Sequence, residues 1–458
     1  MPYDNQFGSK TSHGDIVKNP DVQAFLKKCK PIQKPSDDEN GALVEYFITP
    51  PDYEKSSLPK HVIASDGSYY VSSIDNRLPS IKAAYLKFST ILIEMSEFNG
   101  LQDPQLNLID PFKVAALRRN RDALSAVLPL SNLKLEGDSG VRETFRRQTE
   151  EFLSSQATCF RADDADTSLL STLAELALLR PADGQHKGMI KIHKCPQKDC
   201  EQKNIYIDPT KDNQVCPSCE RRLYISDCLR VWEAVNDFYP DQEPASRFMS
   251  YIEHLIPIHY LRFLRDFSPE RLNDVAVLID GPLAIFGNAA WLHRSIMQFM
   301  YGLNKDKRGP VVIGLQKSGY VSEYMNMLQK LIPDNRLFSI TDEFRYKYLG
   351  TEPSANGFGS ETYYGHDFAF KTPSGKLFIF ALPYPFASKT INGFVTEKAR
   401  MQRYTSLVRA LRLITEVETD LYKNALAPIA LAHRYTAISL RPGGRVLDIL
   451  GRTAIASK

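Results

Sequence analysis

The chain of 458 residues has no run of 18 or more apolar residues, so its sequence offers no transmembrane helix. Its first residues, MPYDNQFGSKTSHGD, are polar and lack the apolar core of a secretory signal. These two absences point to a cytoplasmic protein with no membrane partner. Strong charge of one sign is also missing. Lys and Arg number 57 against 54 Asp and Glu, a net charge of +3, and the pI is about 8.3. So mild a balance neither requires nor excludes a nucleic-acid partner, because bulk charge speaks to solubility and weak association rather than to a site. Cysteine is scarce and odd in number, seven in all, which argues against a full disulfide framework. No internal repeat is visible.

What remains is an ordinary globular composition, 43% hydrophobic and 24% charged, enough for one large domain or two medium ones. The first 59 residues read as an N-terminal arm: an amphipathic stretch, DVQAFLKKCK, is followed by the Pro- and charge-rich PIQKPSDDENG. Strand signals follow at His61–Ser65, within SIKAAYLKFSTILIEM (80–95), in DVAVLIDGPLAIFG (274–287) and in PVVIGLQKSG (310–319). HDFAFKTPSGKLFIFAL (366–382) reads as a hairpin turning at Pro373-Ser374-Gly375. Helical periodicity covers 111–128, 141–158, 166–180, 226–238, 244–266, 288–303 with Asn288 as N-cap, and a long segment at 396–423. Strands alternating with helices indicate an α/β fold.

Two of the strands are expected to finish on Asp-Gly, at Asp66 in IASDGS and at Asp280 in VLIDGP. Ligand sites in open α/β sheets form where strands end, and glycine after the acid permits a close approach. Two carboxylates from different strands can hold a hard divalent cation such as Mg²⁺ or Mn²⁺, although Asp-Gly is also a common turn signal. A third acid is sought on a helix. Glu253 in FMSYIEHLIPIHYLRFL is charged within an apolar stretch and needs a metal or a basic partner if buried. Glu175 in STLAELALLR has the same character. Either also fits the edge of an amphipathic face. Lys317 closes VVIGLQ, where a cation can offset phosphoryl charge or simply face solvent. His433 in PIALAHRYTAI reads either as a metal or phosphate ligand or as a packed histidine.

Between these motifs, Cys195-x4-Cys200 and Cys216-x2-Cys219 form two hooks. Four thiolates at such spacing suit a closed, non-catalytic tetrahedral Zn²⁺ site. Lys191, Lys194, Arg221 and Arg222 lie among the basic residues around it and read either as phosphate contacts or as a solvated surface.

In order, IASDGSYYVSS, VLIDGPLAIFGNAAWL, VVIGLQKSGYVSEY, YYGHDFAFKTPSGKLFIFALPYP and IALAHRY closely resemble the NurA nuclease family from about residue 60 to 440, interrupted by the Cys-rich segment. The resemblance implies an RNase H-like core, a mixed central sheet flanked by helices; the small four-cysteine zinc ribbon is inserted in it and departs from the simplest members of the family. The expected division is an arm over 1–59, a nuclease domain over 60–189 and 227–458, and the ribbon over 190–226. The resemblance also implies Mn²⁺- or Mg²⁺-dependent DNA cleavage, exonucleolytic from the 5′ end with endonuclease action on single strands. Homodimers and a HerA-type hexameric ATPase partner are implied too, in end resection or anti-phage defence. Carried onto this chain, the metal-binding acids are Asp66, Asp280 and Glu253, with Glu175 not excluded. Lys317 and His433 match the family's lysine and histidine, Tyr364 is assigned to its active-site tyrosine, and Ser68 joins the DNA contacts. Two other readings stay open: a non-catalytic DNA-binding or scaffold protein using the ribbon, and an RNA-directed nuclease.

Overall fold

The computed structural model describes residues 12–29, 37–75, 77–99, 123–161, 164–180, 184–305, 309–419, 425–438 and 443–456. Its centre is a mixed eight-stranded sheet built from β1 (His61–Ser73), β2 (Lys82–Glu94), β3 (Leu124–Ser131), β6 (Val275–Asp280), β7 (Val311–Gln316), β8 (Arg336–Ser339), β9 (Gly365–Lys371) and β10 (Leu377–Pro383). Their order across the sheet is β3-β2-β1-β6-β7-β10-β9-β8. β1, β2 and β3 form an antiparallel meander, and β6 and β7 add in parallel beside β1. This five-strand order is the RNase H-like core, and β10, β9 and β8 extend it antiparallel. The two remaining strands, β4 (Ile190–Lys194) and β5 (Lys203–Ile207), pair only with each other, as a two-stranded ribbon.

Period-2 burial decides the layers. Ile63, Val277 and Ile279 face one side, under the helices Val141–Ser154, Leu169–Leu178 and Glu243–Phe267. Val62, Ala64, Ala276 and Leu278 face the other, under Leu407–Val417 and Ala427–Thr436.

Four expectations change. The stretch 111–122 lies outside the described residues, but the part of the expected helix from Leu124 onward is strand β3; its position at the sheet edge also tolerates Pro129. The segment 226–238 is not one helix but two 3₁₀ turns, Ile225–Leu229 and Val231–Ala234, separated by Arg230 at a left-handed φ of 59°. Asn288 does not cap the next helix, which starts at Leu292; its amide instead donates to Glu233 Oε2 at 3.0 Å. The long C-terminal helix is broken into Phe394–Glu397, a 3₁₀ turn Met401–Arg403 and Leu407–Val417. The break seats Lys398 in the interior, where its ammonium meets Asp342 at 2.7 Å with both side chains almost fully buried.

Candidate active site

Strand register assembles the site. In the parallel pair β1–β6, Ser65 stands opposite Ile279, so the next residues, Asp66 and Asp280, are neighbours across one strand spacing and point to the same face. On β6–β7, Asp280 stands opposite Leu315, which brings Lys317 to the same end. The Ala427–Thr436 helix crosses this face and supplies His433 and, one turn on, Thr436.

A correction concerns the first strand. β1 does not finish at Asp66 but runs on to Ser73, still paired with β2. What ends, at Ser65, is the pairing with β6. Asp66-Gly67 is therefore not a turn. A Cβ on Gly67 would lie 2.9 Å from Glu253 Oε1 and 3.0 Å from Met249, so glycine is needed for the approach of the Glu243–Phe267 helix.

One ligand atom each from Asp66, Asp280 and His433 lies within 4.8 Å of the others. His433 Nδ1 is 3.2 Å from Asp66 Oδ2, and the Thr436 hydroxyl donates to the same oxygen. Lys317 Nζ donates to Asp280 Oδ2 at 2.7 Å. Asp66 is only 5% exposed. Burial raises its carboxyl pKa, with Asp280 adding to the rise, while Thr436, His433 and Lys317 oppose it. These groups open onto a cavity of about 660 Å³ lined by Asp280, Gln316, Lys317, His433 and Arg434 among others. His433 is largely exposed, so the cluster can be reached from solvent.

Glu253 is near but not within this group. It approaches Gly67 from the opposite side of β1 and accepts its amide hydrogen at 3.0 Å. Burial first, then the charges of Asp66 and Asp280, push its carboxyl up to about 8. Glu175 is elsewhere: Arg262 Nε and Arg265 Nη1 donate to it at 2.7 and 2.5 Å, so its charge is met by two guanidinium groups. Tyr364 is corrected to an interior residue. It is fully buried, and its hydroxyl lies 2.7 Å from Nδ1 of His254, also buried, which leaves it no face toward the cavity. Ser68 donates its hydroxyl hydrogen to the Thr436 carbonyl, tying β1 to the His433 helix.

The residues missed from sequence were Thr436 and Gln316. Thr436 follows His433 by three residues, the spacing of one helix face. Gln316 lines the cavity but donates behind it to Asp367 Oδ1 at 2.7 Å, and Asp367 is held by Arg345 in a buried pair. No sequence spacing signals that contact.

The second cluster is built differently. Cys195 follows β4, and Cys216 and Cys219 sit on a knuckle closed by Cys216 N–H to Arg221 O (2.9 Å) and Glu220 N–H to Cys216 O (2.9 Å). Sγ–Sγ separations are 3.7 Å for Cys195–Cys219 and for Cys200–Cys216. That is too long for a disulfide. It matches the edge, about 3.8 Å, of a tetrahedron with metal–sulfur arms of about 2.3 Å. The four thiols are thus compatible with zinc. Behind them Arg146 grips Asp227 through two bonds of 2.7 and 2.6 Å, with both side chains buried, and reaches the Arg222 carbonyl at 2.8 Å. Of the basic residues named from sequence, Lys191 lies over the Tyr206 ring, Lys194 over Trp232 and Arg222 over Tyr224, while Arg221 is exposed.

Among the described residues, no helix is long and apolar enough to cross a membrane. No family model matches the chain, and no curated protein matches it. Among solved structures, the chain is similar to the NurA nuclease from Sulfolobus solfataricus, at 10% identity over 98% of this chain and 96% of that one, with a TM-score of 0.31. It is also similar to NurA bound to dAMP and manganese, at 13% identity over 96% of each chain, with a TM-score of 0.27. Likenesses this distant carry no argument about chemistry, which rests on the side chains described above.

Proposed function

We propose that the chain is a divalent-metal-dependent DNA nuclease whose reaction takes place between Asp66, Asp280, Lys317 and His433. The observation that carries this reading is the convergence of two carboxylates and an imidazole within 4.8 Å at the end of β6, beside a lysine. Carboxylate oxygens and an imidazole nitrogen are the donors that Mg²⁺ or Mn²⁺ accepts. Burial first, with Asp280 adding to it, raises the Asp66 carboxyl, and a cation bound beside it would favour its ionised form. A cation held by Asp66, Asp280 and His433 would supply Lewis acidity toward the phosphodiester and lower the pKa of water.

The chain's own residues do the rest. Thr436 fixes the rotamer of Asp66 by donating to one carboxylate oxygen, leaving the other free to act as a ligand. Lys317, now on Asp280, is placed to turn to a phosphate oxygen and offset the charge that develops there. Glu253, behind Gly67, has its carboxyl pushed up to about 8 by burial first and by Asp66 and Asp280 next, so a cation in the cleft would favour its ionised form and gain from it. The floor of apolar strands beneath Asp66 keeps the cluster from relaxing into water.

The finer reading is exonuclease action from the 5′ end, endonuclease action on single strands, a homodimer and a HerA-type ATPase partner. It rests on the motif resemblance. The thiol cluster is proposed to hold a structural Zn²⁺. The decisive experiment is digestion of end-labelled linear DNA with added Mn²⁺, alongside RNA of the same sequence. Cleavage that requires metal and disappears in Asp66→Asn and Asp280→Asn supports the proposal, and full activity in either variant overturns it.

A further inference from the structure

Beside the ribbon, a cavity of about 830 Å³ is lined by Arg142, Lys194, Lys198, Lys203 and Trp232, by the acids Asp199 and Glu201, and by the thiols of the ribbon. Lys198 pairs with Asp237. The two residues that follow Asp237 are Phe238 and Tyr239, which are 67% and 75% exposed. Leaving two adjacent aromatic residues in water is unfavourable, and here it is not the result of slack. The Phe238 and Tyr239 amides both donate to Asn236 Oδ1, at 2.9 and 3.1 Å. Asn132 donates its amide to the Asp237 carbonyl at 2.8 Å and its side chain to the Phe238 carbonyl at 3.1 Å. The loop is pinned and its rings are presented.

Exposed aromatics beside a row of cations are the two elements that bind single-stranded nucleic acid: π-faces for unpaired bases and positive groups for the phosphates that follow them. A duplex hides its base faces in the stack and has little use for such rings. We propose that Phe238 and Tyr239, with Arg142, Lys194 and Lys203, form an accessory site that stacks the unpaired bases of a single-stranded nucleic acid. This inference deepens the nuclease reading and rests on it for its biological sense.

The site is separate from the proposed catalytic cluster. Ser73 on β1 is in register with Lys82 on β2, and Lys82 with Ser131 on β3, the residue before Asn132. The seven residues from Asp66 to Ser73 span roughly 23 Å, and two strand spacings add roughly 10 Å sideways.

The test uses the full, zinc-loaded chain carrying Asp280→Asn, so that binding is read without cleavage, and fluorescein-labelled oligo(dT) of about 20 nucleotides followed by anisotropy. Phe238→Ala/Tyr239→Ala should weaken binding at least about tenfold at an unchanged melting temperature. As a second variant that keeps an aromatic ring, Phe238→Trp should bind like its parent, and its emission should be quenched by unlabelled oligo(dT). The inference is overturned if the parent does not bind, if the double alanine variant binds as tightly as the parent, or if saturating oligo(dT) leaves the new tryptophan unquenched. An equal loss on a blunt duplex of the same length overturns the preference for single strands. Because the readout is binding, metal-dependent cleavage can fail while this site stands, and the reverse can also occur.

Discussion

The thiol cluster and the carboxylate cleft are both sets of ligand-type side chains, but the fold treats them in opposite ways. The four sulfurs are alike and sit at tetrahedral spacing, and just past the second hook the Arg222 carbonyl is held by Arg146, itself in a buried pair with Asp227. A cation there has every position filled by protein and nothing left for a substrate. In the cleft the donors are mixed and the basic groups lie close by: Lys317 is on Asp280, and His433 is beside Asp66 and largely exposed. The first arrangement resembles a staple, and the second resembles a place where charge is left incompletely matched so that a ligand can complete it. Under the proposed function the difference gives structure to one and chemistry to the other, and it can be broken at either end.

The largest effect is expected in the cleft. Asp280→Asn removes a charge and a ligand at once while keeping shape, and Mn²⁺-dependent cleavage should fall by about a thousandfold or more, as losses of groups that act only on the transition state do. The variant's melting temperature without metal should hold or rise, because a repulsive anion has gone from a site that raises its neighbours' pKa. A variant that unfolds would instead show that the cleft is a structural centre like the ribbon.

The ribbon should answer in the reverse sense. Cys216→Ser takes one arm from a closed set, so zinc content measured by atomic emission should drop and the melting temperature should fall by several degrees. Cleavage of an oligonucleotide too short to leave the cleft should persist below the new melting temperature. If short-substrate cleavage disappears while the protein remains folded, the thiol cluster takes part in the reaction and the contrast is lost.

A smaller effect is set by pH. Glu253 has its carboxyl pushed up to about 8 by burial first and by Asp66 and Asp280 next, against an ordinary value near 4.5. A folded-state value above the unfolded one means that the native protein binds more protons between the two. Its contribution to stability is therefore complete below about 4.5 and is lost as pH rises toward 8. In metal-free protein this amounts to at most a few kcal/mol, given about 1.4 kcal/mol per pKa unit. Urea melts from about pH 5 to 8 should show that decline, Glu253→Gln should flatten it, and saturating Mn²⁺ should offset it at the upper end. A decline of the same slope in Glu253→Gln would place the strained acid elsewhere.

How far these features were legible in the sequence follows from what each depends on. Alternating apolar strands and amphipathic helices gave away the α/β class, because burial period is written residue by residue. The thiol hooks were legible for the same reason, with ligands close in sequence. Asp66 and Asp280 were found as carboxylates after apolar strands, but the continuation of β1 past Asp66 was hidden, since Gly67 looks like punctuation until the Glu243–Phe267 helix is seen against it. Tyr364 was misjudged because a motif places a residue in order along the chain and says nothing of which way it points; here it points at His254. The break in the 396–423 helix depends on Lys398 reaching Asp342, a partner more than fifty residues away, and local periodicity carries no trace of it.

The smallest effect separates the two acids that sequence could not rank. Glu253 and Glu175 are each a glutamate in an apolar helical stretch, yet Glu175 is met by Arg262 and Arg265 with three bonds of 2.5 to 3.0 Å, whereas among the described residues Glu253 has only a backbone amide. Charge that is already balanced has nothing to offer a cation. Glu175→Gln should cost about 1–2 kcal/mol, because two partly exposed guanidinium groups lose a shared acceptor, and it should leave Mn²⁺-dependent cleavage within about twofold of the parent, since no reacting group is touched. Glu253→Gln should do the opposite, lowering Mn²⁺ affinity at little cost in stability at neutral pH. Isothermal titration with Mn²⁺ on both variants, beside their melting curves, decides between them: weakened metal binding in Glu175→Gln but not in Glu253→Gln would exchange the two roles and move the third acid of the cleft to the Leu169–Leu178 helix.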